Sequence, residues 1–216
     1  TINGTDPEEF PSIPEESKGE KISIPAKELK KALQQVVFAA STDEARQVLT
    51  GVYMETSGGT LNFVATDSYR LAERGVKTKT SAINHNVPAS TLQEVLRILP
   101  DSGEVVEIVV SESQAVFTID RTVIISRLID GNYPDYKQIL PKESDVTAVL
   151  DKEEFVSITK VASLFARESA GSINVRVSDK GIEIESVASQ VGENTSSAEA
   201  EVEGSGEVSL NSRYLL

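Results

Sequence analysis

The chain has 216 residues, with 21 Lys and Arg against 34 Asp and Glu for a formal net charge of −13, and 39% of it is hydrophobic. That is enough length and apolar content for one large or two small domains with packed cores, which excludes disorder throughout. Cysteine is absent, so there is no disulfide or thiolate chemistry. No apolar run reaches the length of a membrane span, and the charge disfavours a nucleic-acid partner unless a basic face is set apart locally.

Residues 1–20 (TINGTDPEEFPSIPEESKGE) are rich in Pro, Glu and Gly without periodicity and read as a linker or tail. ISIP then reads as a short strand and AKELKKALQQVVFAAS as a helix. GVYMET and LNFVAT predict a hairpin turning at SGG. VPASTLQEVLRILP predicts a second helix, entered at Pro88 and stopped by Pro100. VVEIVVS, AVFTID and TVIISRLI alternate as three strands that close at DGNYPDY.

The order then repeats. TAVLD reads as a strand, KEEFVSITKVASLFAR as a helix, INVRVS and GIEIES as a hairpin, and VSLNSRYLL as the beginning of a second helix. Leu29 and Phe155, Val52 and Val175, Leu61 and Ile182, and Pro88 and Asn211 pair up at nearly constant separation. Two copies of one α+β unit follow, a duplication and not a solenoid of short repeats. Two unrelated α+β domains sharing an element order are the alternative.

The first helix carries the most distinctive surface. Leu29, Ala32, Leu33, Val36, Val37 and Ala40 recur at helical spacing as a buried stripe. Lys27, Lys30, Lys31, Gln34 and Gln35 form the opposite one, with no acid among them. Such a face is either ordinary solvated surface or a contact to phosphates that reads no base. On the later helices Phe155, Ile158, Ala162 and Phe165 back Ser157, Lys160 and Arg167, while Leu92, Val95, Leu96 and Leu99 back Gln93 and Arg97. Catalysis finds little support. His85 stands in a polar loop without neighbours at metal-ligand spacing, and GSGEV is a turn, not a phosphate loop. Asp130 and Asp135 flank a turn, while Glu199, Glu201 and Glu203 alternate along an exposed strand face.

The stretch VATDSYRLAE looks at first like an active site in one turn. Leu61, Phe63 and Ala65 alternate into the core, however, and Asp67 is placed to accept from nearby backbone N–H groups as Asx side chains do. Tyr69 and Arg70 then form an amphipathic rim, and with Leu49 and Leu71 the stretch suits an apolar peptide-docking pocket. The counterpart ESVASQ lacks the Asp-Ser-Tyr-Arg set, so the domain does not need it to fold.

Together with EEFPSIPE, FAASTDEARQVLTGVYME and SRLIDGNYPDYKQILPK, this stretch resembles the bacterial replicative sliding clamp, the beta subunit of DNA polymerase III, over nearly the whole chain. The resemblance implies an α+β DNA-clamp fold of repeated domains, with helices on the inner face and antiparallel sheets outside. Three such domains per subunit would close into a ring as a head-to-tail homodimer. Residues 1–20 would be the tail of the preceding domain and a linker, 21–135 the complete second domain and 136–216 an incomplete third. It further implies a non-catalytic processivity factor, cytoplasmic and associated with the nucleoid and replisome, with no cofactor and no metal. The partners would be double-stranded DNA, independent of sequence, and the replicative polymerase alpha subunit, the clamp loader and repair and translesion polymerases through clamp-binding peptides. No membrane is involved. As this fragment the chain is expected to be monomeric and to bind peptide weakly. Carried over by position, the peptide pocket is Leu49, Thr66, Ser68, Tyr69, Arg70, Leu71, Pro134 and Ile139. The DNA-facing residues are Lys27, Lys30, Lys31, Gln34, Arg46, Arg97, Lys137 and Lys160. Ser68 stands where some relatives have glycine and Tyr69 where some have histidine, and VPAST lacks basic residues that several relatives carry.

Overall fold

Apolar periodicity decides where the chain becomes regular. In a computed structural model that describes residues 4, 6, 19–78, 82–188 and 192–216, strand β1 (Glu20–Pro25) buries Ile22 and Ile24 on one face. Helix α1 (Ala26–Val36) follows and buries Ala26, Leu29, Ala32, Leu33 and Val36. It is shorter than predicted. The backbone leaves helical geometry at Val36 (φ −125°), and Val37–Ala39 forms a 3-10 turn instead. Most of the expected linker over 1–20 lies outside the described residues.

Strands β2 (Gly51–Ser57) and β3 (Thr60–Thr66) form the predicted hairpin. Gly58 and Gly59 both take positive φ, +58° and +77°, as a tight two-residue turn matched to strand twist requires. Two strands follow that the sequence reading lacks, β4 (Leu71–Lys77) and β5 (Asn84–Pro88). The supposed polar loop around His85 is therefore an edge strand, paired to β2 from Gly51 opposite Pro88 to Glu55 opposite Asn84. Helix α2 (Ala89–Ile98) and strands β6 (Val105–Val110), β7 (Gln114–Ile119) and β8 (Thr122–Arg127) agree with the predicted order.

The chain divides into two compact units, Thr1–Pro134 and Asp135–Leu216. In the first, one sheet runs β4-β3-β2-β5 and the other β1-β6-β7-β8. Their inner faces and the two helices enclose one core, in which Phe63, Phe117, Leu29, Leu33 and Leu92 are fully buried.

The second unit has strand β9 (Thr147–Leu150), helix α3 (Lys152–Phe165) and strands β10 (Ser172–Ser178), β11 (Gly181–Ala188), β12 (Gly192–Ala198), β13 (Ala200–Glu203) and β14 (Gly206–Asn211). Asp151 caps α3 by accepting from the Glu154 N–H at 2.9 Å. One sheet runs β12-β11-β10-β14, the counterpart of β4-β3-β2-β5 in the first unit, and a second pairs β13 with β9.

The pairing registers refine the repeat. Ser57 opposite Thr60 and Ser178 opposite Gly181 close equivalent hairpins. Gly51 opposite Pro88 corresponds to Ser172 opposite Asn211, which keeps the expected match of Pro88 with Asn211. Val52 therefore corresponds to Ile173 and not to Val175. Two further expectations are corrected. VSLN belongs to β14, and only Ser212–Tyr214 makes a single 3-10 turn, capped by the Asn211 side chain. On α3 the fully buried residues are Thr159 and Ala162, whereas Phe155, Ile158 and Phe165 are half-buried. Thr159 is tolerated there because its hydroxyl donates to the Phe155 carbonyl at 2.7 Å.

Candidate functional site

Thr66 and Leu71 are the last cross-strand pair of β3 and β4, so Asp67, Ser68, Tyr69 and Arg70 form the connecting loop. Its polar groups are engaged with one another. Asp67 Oδ1 accepts the Tyr69 and Arg70 N–H groups, each at 3.0 Å, and Oδ2 accepts Arg70 Nε at 3.1 Å. The Thr66 hydroxyl donates to the Arg70 carbonyl at 2.7 Å and accepts the Ser68 N–H at 3.1 Å. Burial pushes the Asp67 carboxyl up, but the two N–H bonds and the Arg70 guanidinium outweigh it and hold its pKa below the ordinary carboxylate value. A carboxylate so engaged is a turn-former and a poor proton acceptor.

Ser68 sits at φ +79°, a left-handed conformation that costs a residue with a Cβ about 1–2 kcal/mol. A second segment holds it there. The 3-10 run Glu44–Thr50 breaks at Arg46 (φ −115°, ψ 57°), and Asp43 caps it by accepting from the Ala45 N–H. Arg46 Nε donates to Asp43 Oδ2 at 3.0 Å, while Nη1 reaches Ser68 Oγ at 2.8 Å and the Asp67 carbonyl at 3.3 Å. The Ala45 N–H, followed by Arg46, lowers the Asp43 pKa. Arg70 reaches back to the Phe38 carbonyl at 2.9 Å, with its guanidinium 5.2 Å from the Phe38 ring centre.

Of the predicted pocket residues, Leu49 and Thr66 are buried, Arg70 and Leu71 half-buried, and Ser68 and Tyr69 exposed. Pro134 is exposed and follows Tyr133, whose ring stacks on Tyr53 at 4.8 Å and 7°. Burial raises the Tyr133 phenol to about 12, against an opposing effect of the Thr66 backbone. Among the described residues the buried hydroxyl has no hydrogen-bond partner. Ile139, exposed at the end of the turn Tyr136–Gln138, belongs to the second unit.

The helix face is less uniformly basic than its sequence. Lys27, Lys31 and Gln34 are exposed, but Lys30 Nζ pairs with Asp101 at 2.7 Å. An acid distant in sequence thus joins a stripe that has none of its own. Arg97 Nε bonds Glu94 at 3.0 Å, and Lys137 lies over the Tyr136 ring at 5.7 Å. Lys160 is exposed on α3 beside Lys152 at the edge of a hollow of about 340 Å³. A larger hollow of about 380 Å³ lies between Phe38, Ser41, Thr42 and the start of α2, and none of the eight predicted pocket residues lines it.

Sequence reasoning missed Phe38, Asp43, Asp101 and Tyr133. Phe38 was detectable as the one large apolar residue off the α1 stripe. Asp101 and Tyr133 act through tertiary contacts that no local pattern reports. Among the described residues no group of three His, Asp or Glu could hold a metal ion, and no helix is long and apolar enough to cross a membrane.

Similarity to known proteins follows the division into units. Residues 23–135 match the family described as DNA polymerase III beta subunit, central domain, and residues 137–216 match its C-terminal domain. The chain is 36% identical to the beta sliding clamp of Bacillus subtilis and 34% identical to that of Staphylococcus aureus, in each case over 100% of itself but only 59% and 58% of the relative. The crystal structure of the Bacillus subtilis clamp superposes with a TM-score of 0.92 at 35% identity, over 99% of this chain and 58% of that one. The beta subunit from Pseudomonas aeruginosa gives 0.91 at 26%, over 98% of this chain and 59% of that one. With both units matched in order, a shared architecture and a shared sequence, this chain belongs to the family of the DNA polymerase III beta subunit.

Proposed function

We propose that this chain is part of a DNA sliding clamp, a non-catalytic processivity factor that encircles duplex DNA and tethers polymerases and other proteins through a peptide pocket. The observation that carries this reading is sequence similarity along the whole chain to proteins named as beta sliding clamps. Residues 21–135 would form one complete clamp domain and 136–216 part of the next. A head-to-tail homodimer would need the parts of the relatives that this chain does not match, and the chain alone would be monomeric.

A clamp must remain on DNA and still slide, which calls for a closed topology and many weak contacts that read no base. Exposed Lys27, Lys31 and Gln34 on α1 suit such contacts. Lys30, Arg97 and Lys137 would contribute less, because Asp101, Glu94 and the Tyr136 ring already engage them, and Lys160 would add its charge from α3. On the first unit the docking surface would comprise Leu49, Thr66, Ser68, Tyr69, Arg70, Leu71 and Pro134; Ile139, on the second, is the remaining residue carried over by position. The partners of this surface would be peptides of the replicative polymerase, the clamp loader and repair and translesion polymerases, in the cytoplasm.

The test uses the full-length protein loaded on nicked circular DNA. Changing Lys27 and Lys31 together to Glu should shorten retention and lower the salt dependence of DNA association by about one unit per lysine. Changing Lys30 alone should do less. Unaltered retention in the well-folded double variant would remove DNA contact from this face.

A further inference from the structure

Arg46 follows an acid-rich loop, and the resemblance counts it among the residues facing DNA, but its hydrogen bonds run towards the docking turn. We propose that Arg46 is a positioning residue of the docking turn, holding Ser68 in its left-handed conformation so that the rim of the peptide site is formed before a peptide arrives. This deepens the docking reading and rests on it.

Three observations carry the proposal. The first is that the guanidinium is held on both sides. Asp43 accepts from Nε at 3.0 Å, while Nη1 is directed to Ser68 Oγ at 2.8 Å and the Asp67 carbonyl at 3.3 Å. A phosphate that met Nε or Nη1 would have to displace a carboxylate, a hydroxyl or a carbonyl.

The second is that Ser68 needs holding. Its φ of +79° is readily adopted by glycine and resisted by a residue with a Cβ, so it persists only where the surroundings over-determine it. The Ser68 N–H is fixed locally by Thr66 Oγ1. Its hydroxyl is fixed from outside the turn, by Arg46, 22 positions earlier in the chain.

The third is that Tyr69, the next residue, is 78% exposed. Little packing directs its ring, so the backbone at Ser68 sets where it projects. A rim arranged in advance lowers the ordering cost of binding.

The test is a double-mutant cycle on this chain, read by calorimetry with a synthetic glutamine-led peptide ending in hydrophobic residues. Ser68→Gly, whatever its own affinity, supplies a background in which the turn needs no holding, since glycine adopts it unaided. Arg46→Ala should weaken binding about tenfold, equivalent to about 1.4 kcal/mol. In the Ser68→Gly background the same change should cost less than about twofold. An equal loss in both backgrounds would overturn the proposal, because Arg46 would then be meeting the peptide itself; so would no loss in either.

Amide exchange of the free protein supplies a readout that needs no peptide. The Tyr69 and Arg70 N–H groups, both held by Asp67, should exchange faster in Arg46→Ala and regain protection in the double variant. Unchanged exchange in Arg46→Ala would also overturn the proposal. Failure of the unaltered chain to bind the peptide, with the exchange pattern as expected, would sink the docking reading and leave Arg46 as the residue that shapes the turn.

Discussion

Asp67 shows how a cluster with the composition of an active site becomes a structural device. Its side chain is only 17% exposed, and three N–H donors converge on it. Hydrogen bonds to a charged acceptor contribute more than neutral ones, so Asp67→Asn should cost about 1–2 kcal/mol at neutral pH. The folded pKa lies below the ordinary value, so this contribution is present above the unfolded pKa and is lost as pH falls through the folded one. Urea titrations between pH 7 and pH 3 should therefore show the gap between the parent chain and Asp67→Asn closing in acid. A constant gap would mean that the charge of Asp67 is immaterial. Tyr133 behaves in the opposite sense. Its phenol is raised to about 12 from 10.0, so the neutral form stabilises the fold fully below pH 10, and that contribution is lost as pH climbs towards 12. Tyr133→Phe should flatten alkaline unfolding across that window. It should be neutral or slightly stabilising at pH 7, since the buried hydroxyl gives up no hydrogen bond. A marked loss of stability at pH 7 would show that the hydroxyl has a partner.

At the scale of elements, periodic apolar residues made α1, α2 and the strands β2, β3, β6, β7 and β8 legible, together with the repeat. What escaped was whatever tertiary contact alone decides. β5 reads as Asn84-His85-Asn86, a polar run that becomes a strand only because β2 offers it a partner. β4 was hidden behind the chemistry of the turn before it. In the candidate site the self-satisfying role of Asp67 was readable from its spacing to Tyr69 and Arg70. The reach of Arg46 to Ser68 was not, because 22 positions separate them and no periodic signal spans that distance. The pairing of β2 with β5 also sets a tight constraint. A Cβ on Gly51 would lie 2.1 Å from Asn86 Oδ1. Asn86 is buried, its side-chain amide donates to the Val48 carbonyl at 2.7 Å, and its backbone carbonyl accepts from the Ile129 N–H at 2.8 Å. With little room to yield, Gly51→Ala should destabilise the first unit by about 1–3 kcal/mol. A thermal midpoint unchanged from the parent would show that Asn86 can move aside freely.

At the scale of the whole chain, the two units repeat one plan with unequal cores. Among the described residues, 27 buried side chains cluster in the first unit and six in the second. Each fully buried aliphatic or aromatic side chain contributes about 1.5–3 kcal/mol, and conformational entropy opposes folding in proportion to length. The second unit therefore has less burial per ordered residue. It also exposes Val149, Leu164, Val208 and Leu216 by half or more of their surface. In the first unit, α2 and the strands β6, β7 and β8 supply much of the core, and the described part of the second unit has only a 3-10 turn where α2 would begin. Stability should follow this difference, with the second unit opening at a lower free energy. Native-state hydrogen exchange in increasing urea tests it through paired hairpins of equivalent register. Amides of β10 and β11 should lose protection at lower urea than those of β2 and β3. Equal protection of the two hairpins at every urea concentration would show that the smaller core opens only with the larger one, and the unequal cores would then have no thermodynamic consequence.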